Sequence, residues 1–416
     1  MVHAYKRLRY NSILTVLITL VLGCMLVTGC TEGVKPKQIF RVALFPYIPD
    51  AAEDKFKALA SKIEKDFENE NPSIDLVLRP VDAIGDNFYD MKTLSKWLKD
   101  NPLERGYHLV EIDTVLLGDL IVDNSITAWA SPPGQHDWYP VGRSATIVKG
   151  KVYGVPHWLC GHFIFSRDES IANSGTITEL VDALRSTTPG IPSLAGNLLG
   201  SWNLPALYLD AWADTNGPEG IESAISTNLD TDVIRGLKSF SKECETGGRN
   251  PCLEGDYDGE NLDKATIKFA RGEVDATFGY SERLHLIIKR SSTGDDIKIS
   301  SAPLGEGSNP ILFVDAFVLH RDCDKTCQKA AKAFVAYMNA PKTHEWILMS
   351  RDAHAQAVPR YLMPATYSAY QIPAVSSNPY YRVLESVARN GVAYPNSGLR
   401  VVRKKMRNRI LAKLKE

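Results

Sequence analysis

The sequence predicts an α/β protein of two lobes, and three observations carry that prediction. Short apolar runs suited to strands alternate with longer runs of helical period. The chain has 416 residues, more than one hydrophobic core accommodates. No internal repeat or long low-complexity stretch suggests an extended architecture.

The elements follow in order. Residues 39–45 are a continuous apolar run and predict a buried strand; 51–69 set Phe56, Leu59, Ile63 and Phe67 on one helical face, and 74–81 predict the next strand beyond Pro72. This is a βαβ unit, and in such sheets ligands gather beyond the carboxyl ends of the strands. Tyr47 and Asp50, in the connecting turn, therefore point toward a cleft. Residues 108–112 form a further apolar strand with Asp113 at its carboxyl end. A hairpin is expected over 145–158, turning at Lys149, Gly150 and Lys151, with Cys160 just after it. Helices are expected over 176–186, 221–226 and 232–244, and 201–213 is a mixed apolar segment. A helix over 265–271 ends at Gly272, and a strand over 274–279 delivers Tyr280, Ser281 and Glu282. Residues 311–319 predict a strand carrying Asp315 in its middle. A carboxylate there is costly unless it is partnered or faces a cavity. A helix over 325–338 and an extended segment over 360–365 follow. The basic tail, 400–416, carries Val402, Met406, Ile410 and Leu414 on one stripe, and either packs on the body or touches an anionic membrane. The expected division is 38–150 as lobe 1, rejoined by 300–340, and 151–299 as lobe 2, rejoined by 341–416.

Lys6, Arg7 and Arg9 precede an apolar run over 13–27 that ends in Val27, Thr28, Gly29 and Cys30, as a secretory signal does. This looks like a bacterial lipoprotein signal, with 1–29 removed, Cys30 acylated and 30–37 serving as a tether to a membrane surface. A plain signal peptide or an uncleaved anchor is the alternative, and Cys24 is a second candidate for modification. The expected location is thus exported, anchored or secreted. Removal of 1–29 takes three basic groups and no acidic one, moving the formal charge from −1 to −4. Mild acidity argues against nucleic acid as the partner.

The remaining cysteines are two close pairs, Cys244 with Cys252 and Cys323 with Cys327, and Cys160 alone. The pairs suit short disulfide loops, and neither has the histidines of a zinc site nearby. An unpaired thiol in an exported protein is either a buried, inert small hydrophobe or a nucleophile. His157 and His162 flank it and offer a Cys-His pair, although near neighbours seldom face one another across a site.

The segments KVYGVPHW, FARGEVDATFGYSERL and RYLMPA stand in the order found in type II extracellular solute-binding proteins, and the chain resembles that two-lobed family. EIDTVLLGD, PHWLCGHFIF, GYSE and FVDAF together resemble thiaminase I, the thiamine pyridinylases built on the same fold. The resemblance implies a cofactor-free enzyme that cleaves thiamine at its methylene bridge: Cys160 adds to the pyrimidine, the thiazole leaves, and an organic base or thiol takes its place. It implies Glu282 as the general base, Asp113, Asp315, Tyr47 and Tyr280 as substrate contacts, and Asp137 and Tyr257 as looser matches. Carboxylates and aromatic faces suit a flat cation bearing an aminopyrimidine. A monomer is the default for this fold. Two other readings stand beside it. A lipoprotein receptor for thiamine or a pyrimidine precursor would use the same cleft without needing the thiol. A carbohydrate receptor would rest on Trp97, Trp138, Trp158 and Trp202.

Overall fold

A computed structural model describes residues 36–45, 48–82, 85–187, 191–259, 263–291, 296–307, 309–354 and 356–416. The signal segment, Cys24, Cys30 and Tyr47 lie outside the described residues. Among the described residues fourteen strands occur in chain order: β1 (Gln38–Leu44), β2 (Ile74–Pro80), β3 (Leu109–Asp113), β4 (Ile126–Thr127), β5 (Ile147–Val148), β6 (Lys151–Val152), β7 (Gly154–Cys160), β8 (His162–Ser166), β9 (Leu194–Ala195), β10 (Ala276–Tyr280), β11 (Lys298–Ser301), β12 (Ile311–His320), β13 (Met363–Pro364) and β14 (Val392–Ala393).

They form two main sheets. The larger runs β13-β7-β12-β3-β1-β2, with β4 and β14 also on β12; the smaller runs β11-β8-β10-β9. Strands β1, β2 and β3 are parallel, as a βαβ unit requires, whereas β12 enters antiparallel to β3 and β7. Helices are needed on these sheets because the strands are apolar on both faces: every residue of β3 and β8 is buried.

The structure moves the expected boundary. The chain leaves the larger sheet at Gly161, so β7 belongs with β1 and β3 and not with the lobe expected to begin at residue 151. It returns between β11 and β12. β13 and β14 also join the larger sheet, although the sequence reading assigned 341–416 to the second lobe. The expected hairpin is real only over β5 and β6, where Lys149 and Gly150 take positive φ of 50° and 75°. Its second arm ends early because β7 departs to pair with β12.

The first helix begins at Lys57, later than expected. Glu53, Lys55 and Phe56 have φ of 55°, 60° and 60°, which interrupts a right-handed helix, and Asp54 accepts hydrogen bonds from the Lys57 and Ala58 N–H groups at 2.9 Å each. The basic tail is the helix Leu399–Lys415. It buries Leu399, Met406, Ile410 and Leu414 and ties its charges to the body through Arg400 to Asp119 and Arg407 to the Leu199 carbonyl. Packing, not a membrane surface, accounts for its stripe. Among the described residues no helix is long and apolar enough to cross a membrane. Disulfides join Cys244 to Cys252 and Cys323 to Cys327.

Candidate active site

The site is built where the chain passes from one sheet to the other. β7 ends at Cys160, Gly161 makes the crossing, and β8 starts at His162. A side chain at Gly161 would bring its Cβ within 2.5 Å of Leu312 Cδ2, so the crossing passes close over the start of β12 and any larger residue makes the Leu312 side chain shift. Cys160 is thereby held half-buried opposite Phe313 of β12.

β10 runs antiparallel to β8 with Tyr280 opposite His162. It ends just before Glu282, which leads into the helix Arg283–Arg290. This brings a residue far along the chain to the thiol: Cys160 Sγ lies 3.9 Å from Glu282 Oε2. Burial pushes the Cys160 thiol well above its ordinary pKa, and the charges of Glu282, Asp315 and Asp113 push it further. Burial also raises Glu282, with neighbouring Arg283 working against it. The resting site is therefore a protonated thiol facing a carboxyl group whose proton affinity has been raised to meet it.

On the same sheet Asp315 stands directly opposite Asp113 across the β12–β3 pair, and opposite Trp158 of β7. The bulge that follows, between Asp315 and Ala316, marks the position. Both carboxyl groups are buried. Asp113 accepts hydrogen bonds from the Tyr89 hydroxyl and the Val115 N–H, each at 3.0 Å, yet burial lifts it to about 6. Asp315 is raised well above the carboxylate range by burial, then by Asp113, Glu111 and Glu282. Two carboxyls so placed oppose each other's ionisation, which favours at least one protonated form. Asp315 is not a core carboxylate neutralised by a basic partner.

Aromatic rings complete the wall. Tyr280 stacks on His162 with centroids 5.1 Å apart and meets Phe313 edge-on, and Phe313 stacks on Tyr394 at 3.9 Å. Tyr89 packs against Trp202 at 5.0 Å. Neither flanking histidine serves the thiol. His157 Nδ1 is 2.5 Å from Glu111 Oε1, whose other oxygen accepts the Phe45 N–H; His162 Nδ1 is 2.8 Å from Asp210 Oδ2, whose other oxygen accepts the Ile311 N–H. Asp210 thus ties together the starts of β8 and β12, one on each crossing between the sheets.

The two looser sequence matches are engaged elsewhere. Both oxygens of Asp137 are taken by Ser368, through its N–H at 2.9 Å and its hydroxyl, so this carboxylate holds a helix start and shares no partner with Cys160. Tyr257 is 5% exposed in the core, and the charges that act on it are Asp256, Arg249 and Glu273, none of them at the site. Trp97, Trp138 and Trp158 are likewise buried, which leaves only half-buried Trp202 for a sugar-binding face. Sequence reasoning missed Tyr89, Phe313 and Arg283. Phe313 was within reach, since it lies two residues before Asp315 on one strand face, and Arg283 adjoins Glu282; Tyr89 left no signal.

A cleft between two α/β lobes joined by crossing strands is the arrangement of the two-lobed binding-protein fold. The GacH receptor of Streptomyces glaucescens, solved unliganded and with acarbose, superimposes with a TM-score of 0.65 at 16% identity, over 91% of this chain and 96% of its own. Within that class the chain is similar in sequence to Thiaminase-1 of Paenibacillus thiaminolyticus, 24% identical over 347 residues that cover 80% of this chain and 76% of that protein. Thiaminase I of Clostridium botulinum, solved in complex with thiamin, superimposes with a TM-score of 0.69 at 19% identity, over 91% of this chain and 100% of its own. No family model matches the sequence.

Proposed function

We propose that the protein is a thiamine pyridinylase in which Cys160 is the nucleophile and Glu282 the general base. The observation that carries this reading is the thiol placed 3.9 Å from a half-buried carboxylate, beside the Asp113–Asp315 pair. Similarity to Thiaminase-1 supports the substrate.

Each group has a task that its environment suits. The proton shared by Asp113 and Asp315 lets the pair donate to a ring nitrogen of the aminopyrimidine and accept from its amine, which draws electrons out of the ring as sulfur attacks. The thiazolium charge offsets the carboxylates that hold the Cys160 thiol protonated, so the substrate itself favours the thiolate. Glu282 takes the thiol proton, sulfur bonds to a pyrimidine carbon, and the bridge carbon–nitrogen bond breaks with its electron pair leaving on a neutral thiazole. An organic base or thiol then bonds to the former bridge carbon, and the sulfur–carbon bond breaks to return the thiol. Tyr280, and Tyr47 by its sequence match, supply faces for the cation. No cofactor is needed for these steps.

The amino-terminal pattern supports export with Cys30 as the lipid-bearing residue and action outside the cytoplasm, and a monomer is the default for this fold. The test mixes protein lacking residues 1–29 with thiamine and an aromatic amine, and follows free thiazole. Release that is lost in Cys160→Ser is expected. Saturable thiamine binding that survives the substitution, with no cleavage across several acceptors, would leave a receptor.

A further inference from the structure

Glu111 and His157 are a buried pair with no part in the bond-making steps. Glu111 lies two residues before Asp113 on β3 and stands opposite Phe317 of β12, as Asp113 stands opposite Asp315, so strand alternation puts three carboxyls on one face. His157 reaches the same face because β7 bulges: Trp158 pairs with Asp315 and Pro156 with Ala316, which leaves His157 as the extra residue between them. Its ring centroid lies 4.9 Å from that of Phe317, and its Nδ1 is 2.5 Å from Glu111 Oε1. The other Glu111 oxygen accepts the Phe45 N–H at 3.0 Å, so both are engaged. Behind the imidazole, His344 stacks at 5.8 Å with neither ring nitrogen partnered, and burial, then the charge of His157, pushes it well below the ordinary histidine pKa. His344 is therefore neutral. His157 Nε2 also has no partner, so among the described residues the hydrogen bonding of the His157 ring is directed at Glu111 alone. Among those residues no other basic side chain hydrogen-bonds any of the three carboxyls; Tyr89 and two backbone N–H groups supply the remaining donors.

We propose that His157 is a positioning residue for the thiamine site: by sharing a proton with Glu111 it offsets the charge at one end of the carboxyl row and leaves Asp113 and Asp315 free to ionise for a cation. The inference rests on the thiamine site of the pyridinylase reading and not on its cleavage step. Its physical basis is repulsion within a buried row. Burial, then the charges of Asp113, Glu111 and Glu282, raise Asp315. Without the imidazole, Glu111 carries its charge uncompensated, and the row as a whole holds its proton more tightly, whichever carboxyl bears it. A row that keeps its proton to higher pH presents less negative charge to the thiazolium. His157 acts here only through Glu111, and the bulge in β7 is what lets it do so.

The experiment measures thiamine affinity by calorimetry across pH 4–9 in a Cys160→Ser parent, so that no adduct forms. Affinity in that parent should rise with pH through about 6, the value to which burial lifts Asp113. In His157→Leu the rise should move up by about half a pH unit or more, and Kd at pH 6 should increase about twofold or more. In Glu111→Gln the rise should move down by a similar amount, and adding His157→Leu to that variant should move it little further. Thermal melting of each variant reports folding separately. A merely structural role would weaken binding by one factor at every pH. That result, an unmoved rise in His157→Leu, or single substitutions that shift it in the same direction would refute the role of His157. If the parent binds no thiamine at any pH, the thiamine site fails and the role of His157 fails with it. If protein with Cys160 intact releases no thiazole with any acceptor while the opposite shifts persist, the pyridinylase reading fails and the role of His157 stands.

Discussion

Replacing Glu282 with glutamine keeps the shape of the side chain and removes its ability to take a proton. In the structure Oε2 faces Cys160 Sγ at 3.9 Å, and burial together with the charges of Glu282, Asp315 and Asp113 holds the thiol far above its usual pKa. Without a base, almost none of the thiol ionises near neutrality. General-base assistance contributes about 10²–10⁴ in rate, or about 3–5 kcal/mol of barrier, and kcat/KM should fall by that range. The substitution also removes a negative charge that raises the thiol, which favours the lower half of the range. Glu282 is raised by burial, so wild-type kcat/KM should climb with pH through that raised value as the carboxylate forms, and Glu282→Gln should lose this limb. The assay is thiazole release across pH 4–9, paired with equilibrium binding of thiamine to each protein. Binding should change only a few-fold. A variant within about threefold of wild type, or one that keeps the acid limb, would refute the assignment of Glu282 as base.

Three further outcomes follow from the geometry. Burial raises Asp113 to about 6, burial and the charges of Asp113, Glu111 and Glu282 raise Asp315 well above the carboxylate range, and a raised carboxyl favours the folded state while protonated; stability should decline as pH rises from 4 through 6. Asp315→Asn should flatten that decline and raise the melting temperature at pH 8 while thiamine binding is lost; a variant less stable than wild type at pH 8 would contradict the shared-proton pair. Gly161→Ala should cost about 1–3 kcal/mol in urea unfolding because its Cβ meets Leu312, and it should reduce turnover by moving Cys160; Leu312→Ala in the same chain should restore part of both. Arg360 is buried with Asp352 in a two-pronged ion pair at 2.6 and 2.7 Å and also donates to the Pro49 carbonyl, so Arg360→Met should destabilise the fold by about 3–5 kcal/mol, read by urea unfolding, and loosen the segment at Pro49.

Much of the fold was legible because local pattern and tertiary environment agree. β12 is an almost continuous buried apolar run and β2 alternates buried with exposed residues, two signals that survive without any knowledge of neighbours. The boundaries failed where a distant element decided them. Nothing in residues 152–160 states that this stretch pairs with β12, so the hairpin was drawn too long and the lobe boundary too early. The site followed the same rule. Cys160 and Asp315 stood out as a lone thiol and a carboxylate in an apolar strand. Asp137 and Tyr257 looked similar in sequence, yet Ser368 and the core claim them, and those partners lie outside any local window.

The sequence by itself determined the α/β class, the unpaired cysteine, and the acidic and aromatic residue types from which a site for a flat cation could be assembled. Only the tertiary structure decided that Cys160 and Glu282 meet, with β8 and β10 side by side, and that Asp315 faces Asp113. The physical reason is that residue type is a local property, whereas burial and the approach of like charges depend on which strands pair. Those two effects, absent from the linear chain, are what raise the thiol and the carboxyls together.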